Sequence, residues 1–300
     1  MPMRCDTTHL PEKKQQELKR ITDTIVEMVP SVQMVILFGS HARGDWVEDR
    51  FEQDGRVYEY MSDYDILAIT DSYTVADKTG LWTKVERRVR EPDISNTWTT
   101  LIAHDIEFVN RRLSKAAYFF VDIKKEGICL YTSGKYDLAP IKQPDPKERL
   151  GNAKSDFEHW TEIALTFYET FEINLTKGIE RPVFLKNAAF QLHQAAESFY
   201  HTLLLVFCGY KPKLHDLEKL GRLTGSFGKE LLHIFPTTTE QERNRFLLLK
   251  KAYTEARYER SYRIEKEDLD YLSGQVHKLQ QAVTLLCNRR IERYEKEAGV

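Results

Sequence analysis

Two different patterns of apolar residues divide the chain. In the first 140 residues, short apolar runs at 35–38 and 66–69 alternate with polar segments, and 99–103 is a further candidate strand. Runs of this length, bounded by polar or turn residues, predict buried strands. In the remainder, apolar residues recur at spacings of three and four, which predicts amphipathic helices. The chain therefore changes structural class part of the way along.

The second pattern predicts an all-α helical bundle over residues 147–300. The segment 183–207 is apolar on most of its circumference, which is typical of a central buried helix. We expect longer helices at 240–262 and 265–297, and a short helix beginning near Lys213. These segments make a bundle of about five helices.

Three closely spaced prolines, at 140, 144 and 146, interrupt regular structure between the two parts. We predict a linker at 141–146, which separates a first domain (1–140) from a second (147–300).

Composition agrees with two domains in a reducing compartment. A hydrophobic content of 41% in 300 residues suffices for two cores, and the formal net charge of −2 requires no polyanionic partner. The four cysteines are far apart in sequence, which favours neither a zinc cluster nor a disulfide framework. We see no signal peptide and no transmembrane run, so we expect a cytoplasmic protein without a membrane partner.

The candidate chemistry lies in two short segments. One apolar run ends in Gly39 and Ser40, and another begins with Asp63 and Asp65. Side chains two positions apart on a strand share a face, so the two carboxylates converge and repel each other unless a hard cation lies between them. Gly39 lets a phosphate approach the backbone, and groups around Ser40 bind its oxygens. This predicts a site for a triphosphate and a metal; the alternative is two surface aspartates beside an ordinary turn.

These segments resemble a known signature. They read FGSHARG at 38–44 and SDYDILAI at 62–69, and they are similar to the Gly-Ser … Asp-x-Asp motif of minimal nucleotidyltransferases in the DNA polymerase β-like superfamily. The resemblance implies an α+β domain with a mixed sheet flanked by helices. It also implies transfer of a nucleoside monophosphate from a nucleoside triphosphate such as ATP to a hydroxyl, with two Mg²⁺ ions. Carried over to this chain, it assigns nucleotide binding to Gly39, Ser40 and Arg43, and metal ligation to Asp63 and Asp65.

The chain departs from that family in the spacing of the motif. Asp63 follows Ser40 by 23 positions, whereas the family leaves about ten residues between them. The extra residues, 45–61, contain Asp54-Gly55 between β-type stretches, which predicts a β-hairpin near the mouth of the site. The hairpin either extends the sheet, which we favour, or contacts the acceptor substrate.

A third carboxylate, which the superfamily places on a later strand, is the other departure. The aligned position in segment 99–108 falls near His104, and Asp105 follows it. Asp105 either completes the catalytic carboxylates or caps a helix at 106–115, and we favour the cap. A site with only two carboxylates would bind a nucleotide while catalysing weakly or not at all. Further on, residues 117–131 resemble the closing strand of the same small enzymes.

The helical half resembles a HEPN domain (higher eukaryotes and prokaryotes nucleotide-binding). The resemblance rests on LHQAAE at 192–197, YKPKLHDL at 210–217 and AYTEARY at 252–258. Many HEPN domains are metal-independent ribonucleases with an Arg and a His about five positions apart on one helix. Here Arg257 is followed by Tyr262, and a phenol is a poor general base at neutral pH. HEPN bundles often pair, so the resemblance implies a homodimer.

His193 is the third residue of this candidate HEPN site. A histidine on the core face of a bundle is more often structural than a ligand, although contact with a nucleotide or RNA stays open. Basic and aromatic residues alternate over 243–263, which suits an RNA strand. Interspersed glutamates favour instead a solvated face with i, i+4 ion pairs.

Three functions follow from these observations. The first is a Mg²⁺-dependent nucleotidyltransferase whose hydroxyl acceptor is a small molecule, such as an aminoglycoside, or a protein tyrosine, with Tyr258 and Tyr262 as self-targets. The second is a catalytically weak regulatory protein that binds nucleotide or RNA. The third, less favoured because of Tyr262, is a HEPN ribonuclease.

Overall fold

The computed structural model describes residues 3–46, 48–53, 56–114, 116–142, 145–231 and 233–300. The chain divides into two compact units, residues 1–144 and 145–300. Each unit is described by itself.

The first unit is built around a four-stranded mixed sheet. Its helices are α1 (Glu12–Met28), α2 (Gly39–Arg43), α3 (Tyr73–Ala76), α4 (Thr79–Val89), α5 (Ile106–Ser114) and α6 (Tyr118–Glu126). Its strands are β1 (Val32–Phe38), β2 (Glu48–Gln53), β3 (Arg56–Met61), β4 (Tyr64–Thr70), β5 (Thr99–Asp105) and β6 (Ile128–Thr132). The strand order is β5-β4-β1-β6, in which β1 is antiparallel to both β4 and β6 and β4 is parallel to β5. The predicted mixed sheet is confirmed.

The two central strands explain why the sheet forms. All seven residues of β1 are buried, and all residues of β4 except Asp65 are buried as well. Strands covered on both faces are nearly continuous apolar runs, as these are. Apolar residues of α1 and α4 pack in the same core as these strands. Asp65 is thus the one residue of β4 that is only partly buried.

The inserted segment forms a hairpin of its own. Strands β2 and β3 pair antiparallel, with Gln53 opposite Arg56, so the predicted hairpin is confirmed; its predicted turn, Asp54-Gly55, lies outside the described residues. In the described part of the chain the two strands form a separate two-stranded sheet. The expectation that the hairpin extends the main sheet is therefore wrong.

The closing strand is shorter than predicted. Residues 117–131 contain α6 followed by β6, so the prediction of one strand over this segment is wrong. Phe120 and Ile123 are both buried, at the three-residue spacing of a helix face. The helix ends where the Gly127 amide donates to the Ile123 carbonyl at 2.9 Å.

The second unit is a helical bundle. Its helices are α7 (Pro146–Gly178), α8 (Val183–Cys208), α9 (Leu217–Gly225), α10 (Glu240–Ala252), α11 (Glu255–Tyr258) and α12 (Lys266–Ala298), with a short 3₁₀ helix at Lys229–Leu231. Helix α8 packs against α7, α9, α10, α11 and α12, so the predicted central helix is confirmed.

Side chains at the helix starts explain several boundaries. The Asp145 carboxylate accepts from the Lys147 amide, and Pro146 occupies the first helical position of α7. Asp216 caps α9 by accepting from the amides of Glu218 and Lys219. These carboxylates satisfy amides that have no partner inside the helix.

The predicted helix 240–262 is wrong as one element. Helix α10 ends at Ala252, and α11 is a separate turn of helix. Tyr262 is buried, and its hydroxyl donates to the Leu248 carbonyl at 2.9 Å. In a continuous helix these two residues, 14 positions apart, would lie about 21 Å from each other. Burial of Tyr262 therefore requires the chain to turn back.

None of the helices in the described part of the chain is both long and apolar enough to cross a membrane.

Candidate functional site

The glycine of the first motif touches the second carboxylate of the second motif. In the antiparallel pairing of β1 with β4, Phe38 is opposite Asp65, which brings Gly39 beside that carboxylate. Gly39 has φ of +74°, and a Cβ placed there would overlap the Asp65 carboxylate. Glycine is required on both counts, because other residues rarely adopt this φ and any side chain would displace Asp65. Ser40 and Arg43 follow in α2, so the structure brings the predicted nucleotide-binding residues to the predicted metal ligands.

A buried histidine supports the first carboxylate. The Nδ1 atom of His41 donates to the Asp63 carbonyl at 2.9 Å, and its ring stacks on Trp46 and contacts Tyr64. Burial, aided by the Lys14 charge, lowers the pKa of His41 to about 4, so the ring is neutral at pH 7. The Tyr64 hydroxyl is fixed by Glu17 at 2.9 Å on α1. Thus Tyr64, between the two aspartates, is anchored in the core while they face the site.

The charges of the site favour a cation. Burial, and then the neighbouring charge of Asp63, raise the pKa of Asp65 well above its usual value, while Arg43 opposes this shift. The Arg43 guanidinium is itself shared, with Nε at 3.1 Å from Asp45 and Nη1 at 3.9 Å from Glu126. A cation between the two carboxylates would relieve the repulsion that raises the pKa of Asp65.

The third position of the site is occupied by a threonine. In the parallel pairing of β4 with β5, Thr100 lies beside Asp65, and its hydroxyl donates to Asp63 Oδ2 at 3.1 Å. Sequence comparison placed the third carboxylate position near His104, which pairs with Ile69, four residues further along β5 than Thr100. The register of β5 against β4 decides which residue of β5 lies beside the aspartates, and no local sequence pattern encodes that register.

Asp105 does not join the other two carboxylates. It is paired with Thr70 at the opposite end of β4, five positions from the partner of Asp65, or about 17 Å along the strand. Its carboxylate accepts from the Phe108 amide at 2.9 Å, at the start of α5. The assignment of Asp105 to the catalytic carboxylates is therefore corrected, and the helix-cap interpretation holds.

The residues present fit a magnesium ion that shares its ligands with a nucleotide. Asp63 and Asp65 offer hard oxygen donors, and the missing side chain of Gly39 leaves room for the Asp65 carboxylate. Mg²⁺ is usually held by one or two carboxylates together with substrate phosphates and water. No group of three or more His, Cys, Asp or Glu side chains suited to a metal occurs among the described residues, so phosphate oxygens would have to complete the coordination.

A second polar cluster lies inside the helical unit. Glu197 on α8 accepts from His215 Nδ1 at 3.0 Å, and its carboxylate lies 3.4 Å from His193 Nε2 and 4.0 Å from His201 Nδ1. Burial opposes ionisation of Glu197, but the neighbouring His193 and the charge of His215 together hold its pKa below the usual value. The spacing of positions 193, 197 and 201 on one helix face is the sequence signal that would have found this cluster.

The predicted HEPN residues have different environments. His193 is fully buried, and its Nδ1 donates to the Leu249 carbonyl at 3.0 Å. Arg257 is exposed, donates to the Tyr253 carbonyl and lies over the rings of Phe190 and Tyr253. Burial raises the pKa of Tyr262 far above its usual value, so this phenol does not act as a base at neutral pH. His193 and Arg257 both contact Tyr253, whereas Tyr262 is committed to the core.

Comparison with known families identifies the helical unit. The family model of the HEPN domain matches residues 157–286, as the sequence phrases predicted. A search of curated proteins found no match to the chain.

Proposed function

We propose, starting from the HEPN domain in the helical unit, that the first unit is a Mg²⁺-dependent nucleotidyltransferase. It would move a nucleoside monophosphate from a nucleoside triphosphate to a hydroxyl acceptor. The observation that carries the proposal is the contact between Gly39 and the Asp65 carboxylate, with Asp63 on the same edge. A HEPN domain by itself indicates a function connected with nucleotides or RNA, and a nucleotide site in the first unit agrees with it.

Each residue of the site has a role in this proposal. Asp63 and Asp65 would hold Mg²⁺, and the superfamily resemblance implies two ions. When bound, the metal supplies positive charge that neutralises the phosphates of the substrate. Gly39 and Ser40 would bind the triphosphate at the backbone, and Arg43 adds a positive charge at the same edge. His41 keeps Asp63 in place through its carbonyl.

A protein tyrosine is the acceptor that the exposed residues favour within the chain. Tyr258 is 73% exposed, whereas Tyr262 is 3% exposed and its hydroxyl is bonded to Leu248. Of the two self-targets, only Tyr258 presents a hydroxyl to solvent.

Incubation of the full chain with ATP and Mg²⁺ should therefore add one adenylyl group. Intact-mass spectrometry would detect the adduct, and peptide mapping should place it on Tyr258. We expect no adduct with Tyr258→Phe, while Tyr136→Phe, at another exposed tyrosine, serves as the matched control. An adduct that persists in Tyr258→Phe would reassign the acceptor. Unchanged ATP and unmodified protein, across all four nucleoside triphosphates and with aminoglycosides present, would contradict transfer.

A second function, nucleotide binding without transfer, is favoured by Thr100. Thr100 pairs with Asp65 and its hydroxyl donates to Asp63, so we infer that it stands where the superfamily has a third carboxylate, which would ligate metal or accept the proton of the attacking hydroxyl. A neutral threonine does neither at neutral pH. In this alternative the first unit senses nucleotide for the HEPN domain.

Replacement of Thr100 by Asp distinguishes the two functions. If the site is a weak transferase, a carboxylate at this position should raise the transfer rate by about tenfold or more, because general-base groups contribute about 10²–10⁴-fold. Thr100→Asn introduces a side chain with the shape of aspartate but without its charge, and it should not raise the transfer rate. If the site only binds nucleotide, Thr100→Asp would strengthen Mg²⁺-dependent binding in calorimetry and leave transfer undetectable.

A further inference from the structure

Two cysteines that are remote in sequence meet at the edge of the sheet. Arg4 forms a parallel β-bridge with Ile128, and the Cys129 amide donates to the Arg4 carbonyl at 2.7 Å. Cys5 and Cys129 are the next residues of the two bridged segments, and the neighbouring Cys5 contributes to the raised pKa of Cys129. Both are free thiols. Bridged backbones lie about 4.8 Å apart, which is within the Cα separation that a disulfide accepts.

The segment that carries Cys5 also contacts the candidate nucleotide site. The Arg4 guanidinium donates to the Ala42 carbonyl in α2. A few residues later, His9 Nε2 donates to the His41 carbonyl at 2.8 Å. The two carbonyls belong to the stretch that follows Gly39. A covalent bond that holds the N-terminal segment in place would therefore also restrain residues 41 and 42, whose carbonyls this segment contacts.

We propose that Cys5 and Cys129 are a redox-active pair, which a hydroperoxide oxidises to a disulfide that holds the N-terminal segment against β6 and α2. The sulfur of Cys5 attacks the hydroperoxide, the O–O bond breaks, and a sulfenic acid forms with release of an alcohol. The thiolate of Cys129 then attacks the Cys5 sulfur, the S–O bond breaks, and hydroxide leaves as water after taking the proton. Altogether two thiols lose two electrons, and the hydroperoxide gains them.

The environments of the two thiols set the order of these steps. Cys5 is exposed, whereas Cys129 is partly buried. Burial, and then the neighbouring Cys5, raise the pKa of Cys129 to about 11, which keeps it protonated at neutral pH and makes it the slower nucleophile. Cys5 thus reacts first and Cys129 closes the bond. Closure should become about tenfold faster for each unit that the pH rises below 11, because the thiolate fraction rises by that factor.

Peptide mapping of the oxidised full chain tests this pair. After treatment with cumene hydroperoxide, two of the four thiols should disappear, and tryptic digestion without reductant should yield peptide 5–13 joined to peptide 126–135. Dithiothreitol should restore both thiols. Cys5→Ser should abolish the joined peptide, and Cys208→Ser, at a cysteine in the other unit, should leave it unchanged. Hydrogen exchange should slow at 39–44 in the oxidised wild type and not in Cys5→Ser.

Three results would overturn the proposal. One is oxidation of Cys5 to sulfinic acid without a joined peptide. Another is a joined peptide found only in covalent dimers on a non-reducing gel, which would mean that the bond links two copies. The third is a joined peptide with unchanged exchange at 39–44, which would remove the connection to the site. None of these readouts depends on nucleotide transfer, so the pair and the proposed function stand or fail separately.

Discussion

Replacement of Asp63 and Asp65 together by asparagine should abolish Mg²⁺-dependent binding of ATP. Loss of groups that only support metal ligands typically costs about 10–100-fold in affinity, so loss of both carboxylates should cost about 100-fold or more. Isothermal titration of Mg·ATP into the full chain measures this effect. Asparagine keeps the shape of the side chain and removes the charge, so the change isolates electrostatics from packing.

Asp105→Asn is the matched control for this experiment. It removes one carboxylate charge from the far end of β5 by the same Asp-to-Asn change, and the asparagine oxygen still accepts from the Phe108 amide, so α5 keeps its cap. We expect its Mg·ATP binding to equal that of the wild type. Wild-type binding by the double variant would refute the metal site, and equal loss in Asp105→Asn would mean that the effect is not local.

The double variant should also be at least as stable as the wild type without metal. Asp65 has a pKa raised by burial and by Asp63, so its charged form opposes folding at neutral pH. Asparagine removes that cost. A higher melting temperature in the absence of Mg²⁺, together with lost binding, would show that the carboxylates serve a ligand at the expense of stability. A lower melting temperature would assign them a structural role.

Stability of the helical unit should fall as the pH drops from about 6.5 to 4. Burial, together with the Lys211 charge, lowers the pKa of His201 to about 4, from an ordinary value of 6.5. Between these values the unfolded chain binds a proton that the folded chain does not, so acid favours unfolding. A shift of this size corresponds to about 3 kcal/mol when it is fully expressed. Glu197, whose pKa is lowered, adds a loss in the same direction at still lower pH.

Urea denaturation at a series of pH values tests this prediction. Trp160 is the tryptophan of the helical unit and lies beside His201, with ring centroids 6.1 Å apart, so a variant with the other three tryptophans replaced by Phe reports on this unit. His201→Gln should remove most of the slope between pH 6.5 and 4.5. His277→Gln, at an exposed position on α12, should retain it. A free energy of unfolding that is flat over this range in the wild type would show that His201 titrates normally.

Sequence patterns were sufficient to predict those strands and helices whose burial follows from their own residues. The apolar runs of β1 and β4 and the burial of most of α8 follow from the types of residue present. The segments around Gly39 and Asp63 were also found in sequence, through the Gly-Ser and Asp-x-Asp motifs, and the pairing of β1 with β4 brings them together.

Long-range contacts decided the features that sequence missed. Whether Thr100 or Asp105 faces Asp63 depends on the register of β5 against β4, and an alternating strand offers no internal mark of register. The break after Ala252 depends on burial of Tyr262 against Leu248. Phe119 and Phe120 favour a strand by propensity, but their burial in α6 shows packing overriding that preference.

The hairpin of β2 and β3 has a consequence for how such a chain can diversify. In the described part of the chain these strands pair only with each other, so no strand of the main sheet depends on them for hydrogen bonds. The insertion enters after Gly44 and returns before Ser62, between the two motifs of the site. Lengthening, shortening or exchanging the hairpin therefore leaves the inter-strand hydrogen bonds of the four-stranded sheet unchanged. Sequence changes in this hairpin, whether natural or engineered, can therefore alter what approaches the site without changing the four-stranded sheet.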